Sequence, residues 1–184
     1  EKRVPAEGLE EARRSQYWPM IQKKEDAKMM FVVNGAPEED ADEIALVLRH
    51  APGFFDCIEI TGKSSERLRE KGVTILAEAL KLRSCRSLRY LDLSNNTIFE
   101  YGAKAVLRAL SGHRRIKNLM LGGNNIGDPW IVQEIILFLE ATPSLRTLDL
   151  SFNGFKNKDA KPLLQAALKH PNLLTLALND TWIG

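Results

Sequence analysis

A chain of 184 residues, 44% hydrophobic and 27% charged, is long enough to bury an elongated core, and it holds no apolar run of 18 residues that would read as a membrane span. Its 26 Lys and Arg against 24 Asp and Glu leave a formal charge of +2, which gives no bulk electrostatic drive toward nucleic acid. Two cysteines without Cys-rich flanks favour a reducing, intracellular setting, cytoplasmic first and mitochondrial left open, over a disulfide-stapled extracellular one.

Residues 1–26 precede any repeated pattern and read as an N-terminal helical cap or arm. Leu9, Ala12, Tyr17, Trp18, Met20 and Ile21 offer an apolar cover for a first strand, and Pro19 divides the segment into two pieces. Glu10-Glu11, Arg13-Arg14 and Lys23-Lys24 read as solvated charge, with a partner-binding arm as the sharper alternative. Phe31 and Val33 then mark a faint strand with Asn34 to Pro37 as its turn. Glu38-Glu39-Asp40 leads into Ile44, Val47 and Leu48, with acidic groups at the helix end where the dipole favours them. Phe55, Ile58 and Ile60 form the next strand, and Lys63 falls where later units carry Asn. From Phe55 to Leu88 is 33 residues, about five more than the later units take, and the surplus is expected as loop within Thr61 to Leu68.

From Leu88 onward one phrase recurs almost unchanged: Leu88-x-x-Leu91-x-Leu93-x-x-Asn96-x-Ile98, then Ile116-x-x-Leu119-x-Leu121-x-x-Asn124-x-Ile126, then Leu145-x-x-Leu148-x-Leu150-x-x-Asn153-x-Phe155. Starts at 88, 116 and 145 lie 28 and 29 residues apart, a period that marks stacked units. A further copy runs through Leu173, Leu176, Leu178 and Ile183, with Thr181 in place of Asn. After each strand the pattern switches from alternation to helical spacing. Gly102-Ala103, Val106-Leu107 and Leu110 form one such stripe, ended by Ser111-Gly112. Ile131, Ile135, Ile136 and Leu139 form the next behind the cap Asp128-Pro129, and Ala160, Leu163, Leu164, Ala167 and Leu168 the last, stopping before Pro171. Residues 27–184 thus read as about six strand-helix units, the last incomplete and the outer ones degenerate, as capping units usually are.

These units resemble the leucine-rich repeat family, whose L-x-x-L-x-L-x-x-N-x-I pattern is met through the three central copies. Their period is that of the long, helix-containing subclass typified by ribonuclease inhibitor. The resemblance implies an α/β fold, a solenoid with a curved parallel sheet on its concave face and helices on its convex face. The sharp turn after each strand leaves backbone groups in need of partners, and the resemblance implies that Asn96, Asn124 and Asn153 supply them as a structural ladder.

Apparent chemical motifs dissolve on inspection. Thr61-Gly62-Lys63-Ser64 follows a strand like the end of a phosphate-binding loop, but that pattern needs Gly where Cys57 stands. Gly122-Gly123 reads as a small-residue patch. His113 and His170 share one register with Cys85 and Thr142, so they mark helix-to-strand turns spaced along the solenoid and form no metal cluster. No catalytic set, metal site or cofactor is expected.

The surface is what remains. Strand side chains alternate, so the residues between the leucines line the concave face. One column reads Arg89, Lys117, Arg146, a cationic stripe beside Asp92 and Asp149. Tyr90, Met120 and Phe152 stand as apolar anchors of the kind enriched at interfaces. Trp130 and Trp182 read as rim or packing residues, and the strand before Trp182 as an open sheet edge, which a partner or a missing repeat would cover. The function expected is a non-enzymatic protein-interaction module or scaffold subunit of a larger assembly. Two alternatives come from other classes: a GTPase-activating protein like the leucine-rich activators of the GTPase Ran, and the ligand-sensing fragment of a larger regulatory protein.

Overall fold

The computed structural model describes residues 6–23 and 28–181. Six parallel strands run in sequence order, each joined to the next by a crossover: β2 (Met29–Asn34), β3 (Phe55–Thr61), β4 (Tyr90–Asp92), β5 (Asn118–Met120), β6 (Thr147–Asp149) and β7 (Thr175–Ala177). The crossovers are α2 (Ala41–His50), α3 (Arg69–Leu80), α4 (Phe99–Leu110), α5 (Trp130–Ala141) and α6 (Asn157–Lys169). Register is set by the leucines: Leu91, Leu119, Leu148 and Leu176 lie side by side across four strands. The inward residues of strands and helices share one hydrophobic cluster, with Leu88, Leu91, Leu93, Val106 and Leu110 fully buried in it. The result is an α/β leucine-rich solenoid with helices on one face of the sheet and the other face free of them.

The first segment differs from a purely helical cap. α1 (Ala6–Arg14) and a 3-10 turn at Trp18–Met20 are followed by β1 (Ile21–Lys23), which pairs antiparallel with β2 through Ile21 opposite Phe31. The described sheet therefore has seven strands where six are expected. Ala12 and Tyr17 are buried, Leu9, Trp18 and Ile21 partly so, and Met20 points out. Tyr17 explains the anchoring, since its hydroxyl donates to Asp40 Oδ2 at 2.6 Å. Lys24, Trp182 and Ile183 lie outside the described residues.

The long step before Leu88 has two sources. Ile58 pairs with Leu91, so Ile60 lies beside Leu93, and the Leu68 N–H donates to Asn96 Oδ1, placing Leu68 in the role of Ile98. Three extra residues therefore fall between Ile60 and Leu68, folded as a hairpin in which Lys63 and Glu66 exchange backbone hydrogen bonds of 3.0 and 2.9 Å. Lys63 consequently stands in this hairpin and not at an Asn position. The rest of the surplus follows α3, where a 3-10 turn at Arg83–Cys85 precedes β4.

Two further departures concern helix ends and faces. Asp128 makes no side-chain cap for α5. Glu100 of the preceding helix reaches across instead, its Oε1 accepting from both Gly127 and Asp128 N–H at 2.8 Å. In α6 the expected apolar stripe is only half covered: Ala160 and Leu163 are buried, but Leu164 is 49% and Leu168 85% exposed. The strand leucines beside it, Leu173, Leu176 and Leu178, are partly buried where their counterparts in earlier units are fully so.

Candidate partner-binding face

The turn after each strand positions everything on the outer surface. Asn124 Oδ1 accepts from Asn96 N–H at 2.8 Å, and its Nδ2 donates to Leu93 O at 2.9 Å. Asn153 repeats the arrangement one unit on, accepting from Asn124 and Ile126 N–H at 3.0 Å each and donating to Leu121 O at 2.9 Å. Asn96 closes the series toward the N-terminus by donating to Ile60 O at 2.6 Å. All three are buried, so every one of these bonds satisfies a group withdrawn from water. Thr181, at the next Asn position, donates within its own turn to Leu178 O at 2.8 Å.

The opposite end of the strands is clasped by histidine. His113 Nδ1 accepts from Ile116 N–H at 3.1 Å while Nε2 meets Cys85 O at 3.0 Å, and His170 does the same with Leu173 N–H and Thr142 O at 2.9 and 3.1 Å. Because Nδ1 faces backbone donors, the proton resides on Nε2 in both rings. Each imidazole thus ties one helix-to-strand turn to the unit before it. Among the described residues no group of three or more His, Cys, Asp or Glu side chains could hold a metal ion.

On the helix-free face, Tyr90, Asn118, Thr147 and Thr175 form one row, and Glu59, Asp92, Met120, Asp149 and Ala177 the next. Tyr90, Asp92, Met120 and Asp149 are each half-buried there. The two aspartates serve their own turns, Asp92 Oδ1 accepting from Ser94 N–H at 2.9 Å and Asp149 Oδ1 from Ser151 N–H at 2.8 Å. Burial, with Asp92 and Glu59 adding negative charge, pushes the Tyr90 hydroxyl up to about 12. Glu59 belongs to this surface and Cys57, in the row of Tyr90, is buried; neither is among the residues expected from sequence. Carrying the alternation of the leucine strands back to Phe55, Ile58 and Ile60 would have found them.

The basic column is real as a line of positions: Lys117 N–H donates to Arg89 O at 2.8 Å and Arg146 N–H to Lys117 O at 2.7 Å. It is not wholly uncompensated, because Asp56 lies next in the line and its Oδ1 is 3.4 Å from Arg89 Nε. Lys117 and Arg146 have no such partner among the described residues. Trp130 stands away from this face, its ring tilted 47° against that of Tyr101 at 5.3 Å with Lys104 Nζ over it at 5.1 Å.

Phe152 shares the backbone conformation of its counterparts in register and differs from them in side chain. Backbone hydrogen bonds place Gly62, Asn95, Gly123 and Phe152 at one register, each N–H donating to the neighbouring turn. Asn95, Gly123, Phe152 and Asp180 have φ of +62°, +67°, +56° and +50°. Left-handed backbone suits Gly, Asn and Asp and is an outlier for a bulky side chain. Phe152 holds it while 63% exposed, beside a shallow cavity that it lines with Asn125 and Asp180.

A leucine-rich repeat family model matches residues 84–106 and 142–164. The chain is 30% identical over 121 residues to "NACHT, LRR and PYD domains-containing protein 5" of Bos taurus, an alignment covering 66% of this chain and 11% of that protein. It is 37% identical over 84 residues to "Tonsoku-like protein" of Mus musculus, covering 43% and 6%. The chain therefore spans only a small part of the length of either curated relative. Leucine-rich repeats are in general protein-interaction modules without enzymatic activity.

Proposed function

Since the chain is a leucine-rich repeat protein, we propose that it binds a partner protein through the helix-free face of its sheet and acts as a scaffold subunit in an intracellular assembly. Phe152 carries this reading. An exposed aromatic at a register where Gly and Asn are the unstrained choices costs stability of order 1 kcal/mol or more, and with the ring 63% exposed burial offsets only part of it. Strain of that kind concentrates at binding surfaces. Tyr90 and Met120 extend an apolar strip from the sheet, while Lys117 and Arg146 add positive charge at its margin. Two buried cysteines in a chain without Cys-rich flanks suit an intracellular setting.

The test uses a photo-crosslinking side chain placed either at Thr147 on the sheet or at Gln133 on the helical face. A partner bound as proposed crosslinks from position 147 and not from 133, and the product is lost in Phe152→Asp and Arg146→Glu variants that remain folded. Equal crosslinking from both positions sinks the reading. A second reading, the sensing part of a larger regulatory protein, is favoured by the match to a multidomain NACHT, LRR and PYD protein. Immunoblotting of the natural source for a much longer polypeptide tests it.

A further inference from the structure

Along β4, β5 and β6 charge is sorted between the two edges of the sheet. At the edge where the strands end, residues 94–98 carry no charged side chain, 122–129 only Asp128, and 151–156 only Lys156. At the edge where they begin, the connections 81–89, 111–117 and 142–146 carry eight Lys and Arg and no Asp or Glu. Three of the eight are engaged: Lys81 with Glu78 at 2.6 Å, Arg89 with Asp56 at 3.4 Å, and Arg83 against the Phe54 ring at 5.6 Å. Arg86, Arg114, Arg115, Lys117 and Arg146 have no carboxylate within ion-pair distance among the described residues, and all but Lys117 are exposed.

The usual cause of basic residues at helix C-termini does not reach these five. The dipole's effect fades within the last turn, and each of them lies at least four residues beyond the end of α3, α4 or α5. Like charges on neighbouring strands repel, so the arrangement costs stability unless an anion meets it. We propose that this edge is a docking strip for an extended acidic segment of a partner protein, lying across the strand starts. The inference rests on the reading that the chain binds a protein, and it names that protein's chemistry.

Geometry favours an extended peptide. Successive strand starts are about 4.8 Å apart, and alternate side chains of an extended chain about 6.6 Å, a mismatch that flexible Lys and Arg stems absorb. The sheet face argues against a polyphosphate. Glu59, Asp92 and Asp149 stand a few residues in from the strip, in one row. A nucleic acid cannot restrict its charge to one edge, whereas a peptide can place acidic residues on the strip and uncharged ones over the carboxylates.

The test is fluorescence anisotropy of the full chain at about 0.15 M salt, where attractions between distant exposed charges are screened. The probes are a fluorescein-labelled peptide alternating Glu and Ser and a single-stranded oligothymidylate of equal charge. The peptide should bind more tightly than the oligonucleotide, and Arg86→Glu with Arg115→Glu should weaken it about tenfold or more. Arg114→Gln with Arg115→Gln should weaken it in the same direction without reversing any charge, which guards against a misfolded reversal variant. Absence of saturable peptide binding, binding unchanged in both variants, or tighter binding of the oligonucleotide each overturns the proposal. Gln133→Ala on the helical face should leave peptide binding unchanged, so a failed sheet-face reading shows in the crosslinking experiment and a failed acidic strip shows here.

Discussion

At position 152 a residue is held in a backbone conformation that its neighbours in register reach with Asn, Gly and Asp. The side chain is mostly in water, so removing it leaves no cavity. Phe152→Asn should therefore raise stability by about 0.5–1 kcal/mol through relief of left-handed strain, read as a higher urea midpoint, while partner crosslinking from position 147 falls. A stability loss would mean that the ring packs in a way its exposure does not suggest. Tyrosine gives the pH-dependent counterpart. Burial raises the hydroxyls of Tyr17 and Tyr90, with Asp40 and Asp92 reinforcing them, and Tyr90 reaches about 12. Both keep their protons in the folded chain where the unfolded chain, near 10, has lost them. The stabilisation is complete below about pH 10 and declines as pH rises toward 12. Urea midpoints should fall over that window in the wild type, and more gradually in a Tyr17→Phe, Tyr90→Phe double variant.

Between residues and fold stand the turns, whose hydrogen bonds run from unit to unit. Asn124 joins Asn96 on one side to Asn153 on the other, all out of water. Asn124→Ala strands the Asn96 N–H and leaves the Leu93 carbonyl with Asn96 Nδ2 at 3.1 Å in place of two donors, and should cost on the order of 1–3 kcal/mol. An unchanged thermal midpoint would remove the ladder from the stabilising account. Much of this element scale was legible beforehand, because a strand and a helix imprint different periods on the same leucines. The parts that escaped have physical reasons. β1 is three residues long and earns its place by pairing with Phe31's strand, which no periodicity within Ile21–Lys23 could reveal. The α5 start is held by Glu100 from another helix, whereas local sequence offers only Asp128 as a cap. The surplus before Leu88 is split across α3 because backbone pairing fixes Ile60 and Leu68 separately, and a count of residues sees only their sum. The outer surface was legible as columns, since alternation is strict, but not as charges in play. Asp56 neutralising Arg89 and Asp92 bonding its own turn depend on distances that sequence spacing does not carry.

Across the whole molecule the core is continuous but not uniform, because each unit is covered only by its neighbours. Leu119 and Leu176 occupy the same register, one in β5 and one in β7. Leu119 is fully enclosed between flanking units, while Leu176 lies partly buried beside α6, where Leu168 is 85% and Leu174 80% exposed. Truncation at a sealed site removes transfer free energy and leaves a cavity as well, whereas a site open to water forms no cavity. In this chain, Leu119→Ala should cost about 2–5 kcal/mol and Leu176→Ala distinctly less, although the two changes are chemically identical. Chemical denaturation of both variants decides it. Equal losses would mean that the last strand is packed as tightly as the middle of the sheet, and the exposure of Leu168 and Leu174 would then need another cause. A graded result would show that cohesion is inherited from neighbours, so an interaction face is most firmly held on β4 to β6. Those are the strands that carry Tyr90, Met120 and Asp149, and Phe152 follows the last of them.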